Sequence, residues 1–154
     1  MGTPHINDVL PNGLTCRRAP LFPLGHGLSY TTFSATNLAI KQVGTGLKST
    51  VSVSIENTGS TAGAEIALLY VGDVECCLRR PLREIKGFAK VHLEPGQAKR
   101  VEIELDREAF AYWNERAYKW VVEEGEFEVS VQTGVGVEPL KGTIMVAKGY
   151  SWDP

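Results

Sequence analysis

From Phe33 onward the chain alternates apolar and polar residues with a period of two. Val51, Val53 and Ile55 are interleaved with Ser52 and Ser54. Val101, Ile103 and Leu105 are interleaved with Glu102 and Glu104, and Phe127, Val129 and Val131 with Glu126, Glu128 and Ser130. Successive side chains of a strand point to opposite faces, so this rhythm with one wet side predicts antiparallel strands on a single core. Residues 66–71 are apolar on both parities and read as a central strand, or as one whose second face is covered. The side chains expected inward are Val51, Val53, Ile55, Ile66, Leu68, Val101, Ile103, Leu105, Phe127, Val129 and Val131.

Turn chemistry punctuates the alternation. Asn57-Thr58-Gly59 and Glu124-Gly125 mark two turns. In Glu94-Pro95-Gly96-Gln97, Pro suits the second place of a type II turn and Gly the third. Strands are expected at about 33–43, 49–57, 63–72, 84–93, 98–105, 117–122, 126–133 and 141–147. Seven or eight antiparallel strands at this spacing predict an all-β, immunoglobulin-like sandwich over residues 20–150. Only residues 106–114 read as helical, for no more than two turns. Residues 1–19 have no period, are broken by Pro4, Pro11 and Gly13, and read as an irregular leader.

At 154 residues, 43% apolar and 22% charged, the chain suits one soluble domain. Its net charge of -2 predicts no strong field, so neither nucleic acid nor an anionic membrane is an expected partner. No basic-then-apolar signal opens the chain, and no apolar run reaches the ~20 residues of a membrane span. Three cysteines, Cys16, Cys76 and Cys77, cannot all pair within one chain, and adjacent Cys76 and Cys77 would strain a mutual bond. No Asn-x-Ser/Thr sequon occurs. Both facts favour a reducing compartment, and the expected location is cytoplasmic unless a longer parent carries an upstream signal. Cys76 and Cys77 are expected as free loop thiols.

Candidate chemistry is sparse. Gly44-Thr45-Gly46-Leu47-Lys48-Ser49 fails the phosphate-loop spacing, which needs four residues between the glycines and Lys directly after the second. It reads as a strand-connecting turn. A glycosidase needs two carboxyls facing one pocket, ~5–10 Å apart. Glu102 with Glu104 and Glu126 with Glu128 are instead the polar beats of amphipathic strands. His5, His26 and His92 are scattered and do not pair with the cysteines as zinc ligands would. No catalytic residue, cofactor or metal site is expected. The basic run Arg79, Arg80, Arg83, Lys86 and Lys90 lacks the interleaved aromatics of a nucleic-acid groove and reads as a solvated face. Tyr112, Trp113, Tyr118, Trp120 and Trp152 admit two readings: closure of the sandwich corner, or a platform for sugar rings centred on Trp113, Tyr118 and Trp120.

Several ordered motifs carry a family resemblance. The segment from Pro20-Leu21-Phe22-Pro23-Leu24-Gly25-His26-Gly27-Leu28-Ser29-Tyr30 to Thr31-Thr32-Phe33 resembles the opening of the C-terminal fibronectin type III-like domain of glycoside hydrolase family 3, mainly β-glucosidases and β-xylosidases. Asn57-Thr58-Gly59, Ala62-Gly63-Ala64-Glu65, Leu69-Tyr70-Val71, Arg80-Pro81-Leu82-Arg83-Glu84-Ile85-Lys86-Gly87-Phe88, Leu93-Glu94-Pro95-Gly96 and Gly125-Glu126-Phe127-Glu128-Val129 continue it in order, over about residues 20–147. Residues 1–19 and the stretch Gln132-Thr133-Gly134-Val135-Gly136 depart from the family pattern. The resemblance implies a non-catalytic accessory domain. The family's catalytic aspartate and its acid/base residue lie in two preceding domains, so no catalytic role carries over to a residue here. The alternative function is an independent glycan- or protein-binding module.

Residues 21–30 form an apolar stretch without a period. Pro23 lacks an amide donor, and Gly25 and Gly27 permit backbone angles that side chains forbid. Two outcomes are open. The ribbon caps its own sandwich, or Phe22, Leu24, Leu28 and Tyr30 form part of a docking interface for the catalytic domains that the resemblance implies. In the second case the isolated domain is expected to form a weak homodimer.

Overall fold

The computed structural model describes residues 21–44, 48–75 and 80–154. Ten strands run in chain order: β1 (Phe33–Val43), β2 (Lys48–Asn57), β3 (Gly63–Asp73), β4 (Glu84–Leu93), β5 (Ala98–Leu105), β6 (Tyr112–Asn114), β7 (Lys119–Val122), β8 (Gly125–Gln132), β9 (Leu140–Val146) and β10 (Tyr150–Trp152). Every pairing is antiparallel. One sheet has the order β1-β2-β5, the facing sheet β4-β3-β8-β9, and a small third sheet β10-β7-β6. β4 lies beside β5 at one margin and β1 beside β9 at the other, which closes the sandwich.

The expected sandwich is therefore present, with ten strands rather than seven or eight, two more than the eight ranges predicted. The additions, β6 and β10, are three residues each, too short to show a period. Residues 106–114 are not a helix. A single 3-10 turn, Arg107–Ala109, is followed by Phe110 and Ala111 entering the core and then by β6, which gains cross-strand partners.

The core between the sheets comprises Val51, Val53 and Ile55 of β2, Ala67, Leu69 and Val71 of β3, Val91 and Leu93 of β4, Ile103 and Leu105 of β5, Phe127, Val129 and Val131 of β8, and Ile144 and Val146 of β9, joined by Ala109, Phe110 and Ala111 and by Val122 of β7. Each fully buried large side chain contributes roughly 1.5–3 kcal/mol. Nine of the eleven expected inward residues face this core, Val101 being only half-buried. Ile66 and Leu68 do not. Register explains the correction: Leu69 pairs with Val131 and Val71 with Val129, so the odd parity of β3 shares the buried face of β8. Ile66 and Leu68 are placed on the outer face, where Ile66 is exposed.

The predicted turns are built as their residues require. Gly96 takes φ +74, and the Gln97 amide donates to the Glu94 carbonyl at 2.9 Å. Asn57 is wholly buried and organises the neighbouring loops. Its Nδ2 donates to the carbonyls of Thr61 (2.8 Å) and Leu93 (3.0 Å). Its Oδ1 accepts from Thr31 Oγ1 (2.6 Å) and the Gly59 amide (3.1 Å). Among the described residues no buried side-chain polar atom lacks a partner. No helix among them is long and apolar enough to cross a membrane.

Candidate docking face and aromatic ladder

The two outer faces of the sandwich differ in chemistry. On β1-β2-β5 the outward positions include Lys41, Thr50, Ser52, Arg100, Glu102 and Glu104, and Arg100 donates to the Ser52 hydroxyl. On β4-β3 the outward positions are Ile66 beside Lys90, Leu68 beside Phe88, and Tyr70 beside Ile85. Phe88 is 69% exposed, and Ile66 and Ile85 are exposed as well. A slip of one residue between the Leu69–Gly87 and Tyr70–Ile85 pairs marks a bulge in β4, which returns Ile85 to the outer face.

The N-terminal ribbon reaches this face. Gly25 adopts φ +85, and a Cβ there would stand 3.3 Å from Leu68 Cδ1, so the ribbon passes directly over β3. The His26 amide donates to the Pro23 carbonyl (2.9 Å), and the His26 ring lies 4.9 Å from that of Phe22. Phe22 and Leu24 remain exposed, and Leu28 and Tyr30 are each 99% exposed. The ribbon thus crosses the β3–β4 face without burying its own apolar side chains there. The structure brings Gly25 of the ribbon to Leu68, while Phe22 and Leu24 are left exposed and Leu28 and Tyr30 stand clear of the sheet. Sequence reading found the ribbon but missed Ile66, Leu68, Ile85 and Phe88. The apolar double parity of residues 66–71 was the available signal.

The basic run borders the same face. Arg83 places its guanidinium 4.7 Å from the centre of the Tyr70 ring and lies 3.4 Å from Gln132 Oε1. Arg80 contacts Asp73 (3.4 Å) and Glu84 (3.5 Å), and Lys86 also reaches Glu84 (3.2 Å). Gly72 is required here, because a Cβ would collide with the Leu82 carbonyl oxygen.

The aromatic residues form a second feature. In the small sheet Trp113 pairs with Trp120, and Trp120 with Trp152, so three tryptophans make one cross-strand row. Trp113 meets Tyr118 (5.1 Å) and Trp120 (5.4 Å) edge to face. Trp120 stacks on Trp152 at 6.4 Å, and Tyr150 on Trp152 at 5.2 Å. Arg107 caps Trp152 at 4.5 Å. Burial pushes the Tyr150 phenol above its ordinary range, and a hydrogen bond from Arg107 holds Glu108 below its own. Trp113, Tyr118 and Trp120 are thus brought together, but as a ladder of rings packed on one another rather than a flat shelf. Tyr118, with φ +54, is the most exposed rung.

The remaining candidates stay apart. Glu102 and Glu104 are exposed on β5, and Glu128 is held by Lys141 at 3.1 Å. Desolvation raises the Glu65 carboxyl above its usual range, against a smaller opposing effect of the Ile66 amide. No group of three or more His, Cys, Asp or Glu side chains that could hold a metal occurs among the described residues. His5, Cys16, Cys76, Cys77 and Arg79 lie outside those residues.

The sandwich and its motifs have counterparts. A family model described as the fibronectin type III-like domain matches residues 65–135. The probable β-glucosidase I of Aspergillus fumigatus is 48% identical over 141 residues, which is 87% of this chain and 17% of that protein. The crystal structure of a β-glucosidase from Kluyveromyces marxianus superimposes with a TM-score of 0.80 at 41% identity, over 88% of this chain and 16% of that one. The family 3 β-glucosidase of Bifidobacterium adolescentis gives a TM-score of 0.77 at 34% identity, over 82% of this chain and 18% of that one. The chain therefore corresponds to a small part of much longer proteins. On this agreement of sequence and superposition, the chain is a fibronectin type III-like β-sandwich similar to a small segment of family 3 β-glucosidases.

Proposed function

We propose that this domain is a non-catalytic brace for the catalytic part of a β-glucosidase-like hydrolase, and that it docks through the outer β3–β4 face. One observation carries the reading: the two outer faces are chemically unlike. A free-standing sandwich needs polar residues on both, yet here one presents Ile66, Leu68, Ile85 and Phe88 with the Phe22–Leu24 ribbon beside them. Exposed apolar groups concentrated on one face of a soluble domain mark an interaction surface. The match to only 17% of a relative's length leaves ample chain in such a protein to cover it. The reading assigns no hydrolysis to this chain by itself.

A chimera tests the proposal. This chain replaces the segment it matches in the Aspergillus fumigatus β-glucosidase. Phe88→Ser is then introduced into the chimera and into the isolated chain. In the isolated chain Phe88 is solvated and the substitution leaves the melting temperature within about 2 °C. In the chimera it lowers the melting transition by more than about 5 °C. Equal, small shifts in both contexts overturn the docking reading.

A further inference from the structure

Resting on that reading, we infer that the surface docked on β3–β4 is apolar at its centre and acidic at its rim. The geometry of the basic run gives it a place in the brace. Arg80, Arg83, Lys86 and Lys90 lie along the margin of the face, and the carboxylates that reach them are Asp73 and Glu84. Both serve Arg80, and Glu84 also serves Lys86. Arg83 contacts the Tyr70 ring and the neutral Gln132 amide, and no carboxylate bridges to Lys90 among the described residues. On the same outer face Glu128 is engaged by Lys141, and Glu126 lies towards the other end of β8.

The two cations left over bracket the apolar centre. Leu68 and Phe88 are cross-strand neighbours. Lys90 flanks them on one side, opposite Ile66, and Arg83 on the other, over Tyr70. A partner that covers Leu68 and Phe88 must therefore also desolvate Arg83 and Lys90. Burying a cation without a counter-charge is strongly unfavourable, so the covering surface has to carry carboxylates at both places. A polyanion would satisfy the charges but leave the apolar centre wet, which is why an acidic-rimmed protein surface fits better.

The experiment uses the same chimera, so that the two readings fail separately. Lys90→Glu, Lys90→Met and Arg83→Gln are each made in the chimera and in the isolated chain, with melting followed at low salt and at about 0.5 M NaCl. Lys90→Glu is expected to lower the chimera's transition by more than about 5 °C at low salt, with little effect on the isolated chain. Lys90→Met is expected to reduce the salt sensitivity of the chimera. Should Phe88→Ser act only in the chimera while every charge variant behaves alike in both contexts, docking stands and the acidic rim is wrong. Should none of the four discriminate, both fail. Retention of the isolated chain on heparin, abolished by Lys90→Glu, together with unchanged chimera melting, would reassign the rim to a polyanion and also overturn the inference.

Discussion

Gly87 of β4 faces Ile103 of β5 across the core, and a Cβ built on Gly87 would stand 2.6 Å from Ile103 Cγ2. The methyl it would strike is fixed on a β-branched side chain in a buried site, so it cannot swing away. Gly87→Ala is therefore expected to cost about 1–3 kcal/mol. Gly142→Ala makes a comparison, since its nearest neighbour, Ile40 Cδ1 at 2.7 Å, is the far end of a half-buried side chain. Urea midpoints of the two variants should place Gly87→Ala well below Gly142→Ala; the reverse order would refute the packing argument.

Asn57 joins four groups from the chain entry and two loops. Asn57→Ala strips the buried Leu93 carbonyl and its neighbours of their partner, and a loss of about 2–4 kcal/mol is expected. Chemical denaturation checks this, and a loss under about 1 kcal/mol would show that water replaces the amide.

Glu65 gives the domain a pH dependence of definite sign. Its folded pKa is raised by desolvation, so the fold favours the protonated acid. The contribution is complete below the ordinary carboxylate pKa and is lost as pH rises through the folded value. Glu65→Gln should accordingly be more stable than wild type at neutral pH, with the difference shrinking in acid. Paired thermal melts at pH 7 and pH 3.5 decide it; a variant less stable at pH 7 contradicts the assignment.

In the isolated chain the exposed apolar β3–β4 face should find itself. We expect concentration-dependent self-association of the isolated chain in analytical centrifugation, reduced in a Phe22→Ser, Leu24→Ser double variant. Clean monomers in both cases at millimolar concentration would remove the ribbon from the interface.

Aryl β-glucosides should not be hydrolysed by this chain above the buffer background. Its strand glutamates Glu102 and Glu104 are exposed beside one another on an open sheet, without the enclosed pocket that two cooperating carboxyls need. Turnover that copurifies with the chain and disappears in Glu102→Gln or Glu104→Gln would overturn this.

Much of the sandwich was readable because one wet face leaves a period-two trace, as at Val51 to Ile55 and Phe127 to Val131. Where that condition failed, so did the reading. β3 is apolar on both faces, and only its register with β8 decides that Leu69 rather than Leu68 enters the core. β6 and β10 exist through pairing with β7, a long-range property with no local signature in three residues. The ribbon of residues 21–30 was visible as an apolar stretch without a period. The apolar outer face of β3 and β4 was not, since Phe88 and Leu68 become neighbours only when β4 folds back along β3.

The ladder in the small sheet has a spectroscopic consequence. The chain's three tryptophans are Trp113, Trp120 and Trp152, and all stand in that one row. Tryptophan emission will therefore report on this corner and on its packing against the core through Trp152, while the coupled indole transitions should leave their own signature in the circular dichroism. Far-ultraviolet signal from the strands and emission from the indoles are two separate clocks, and any lag between them during heating measures how tightly the corner is fastened to the domain.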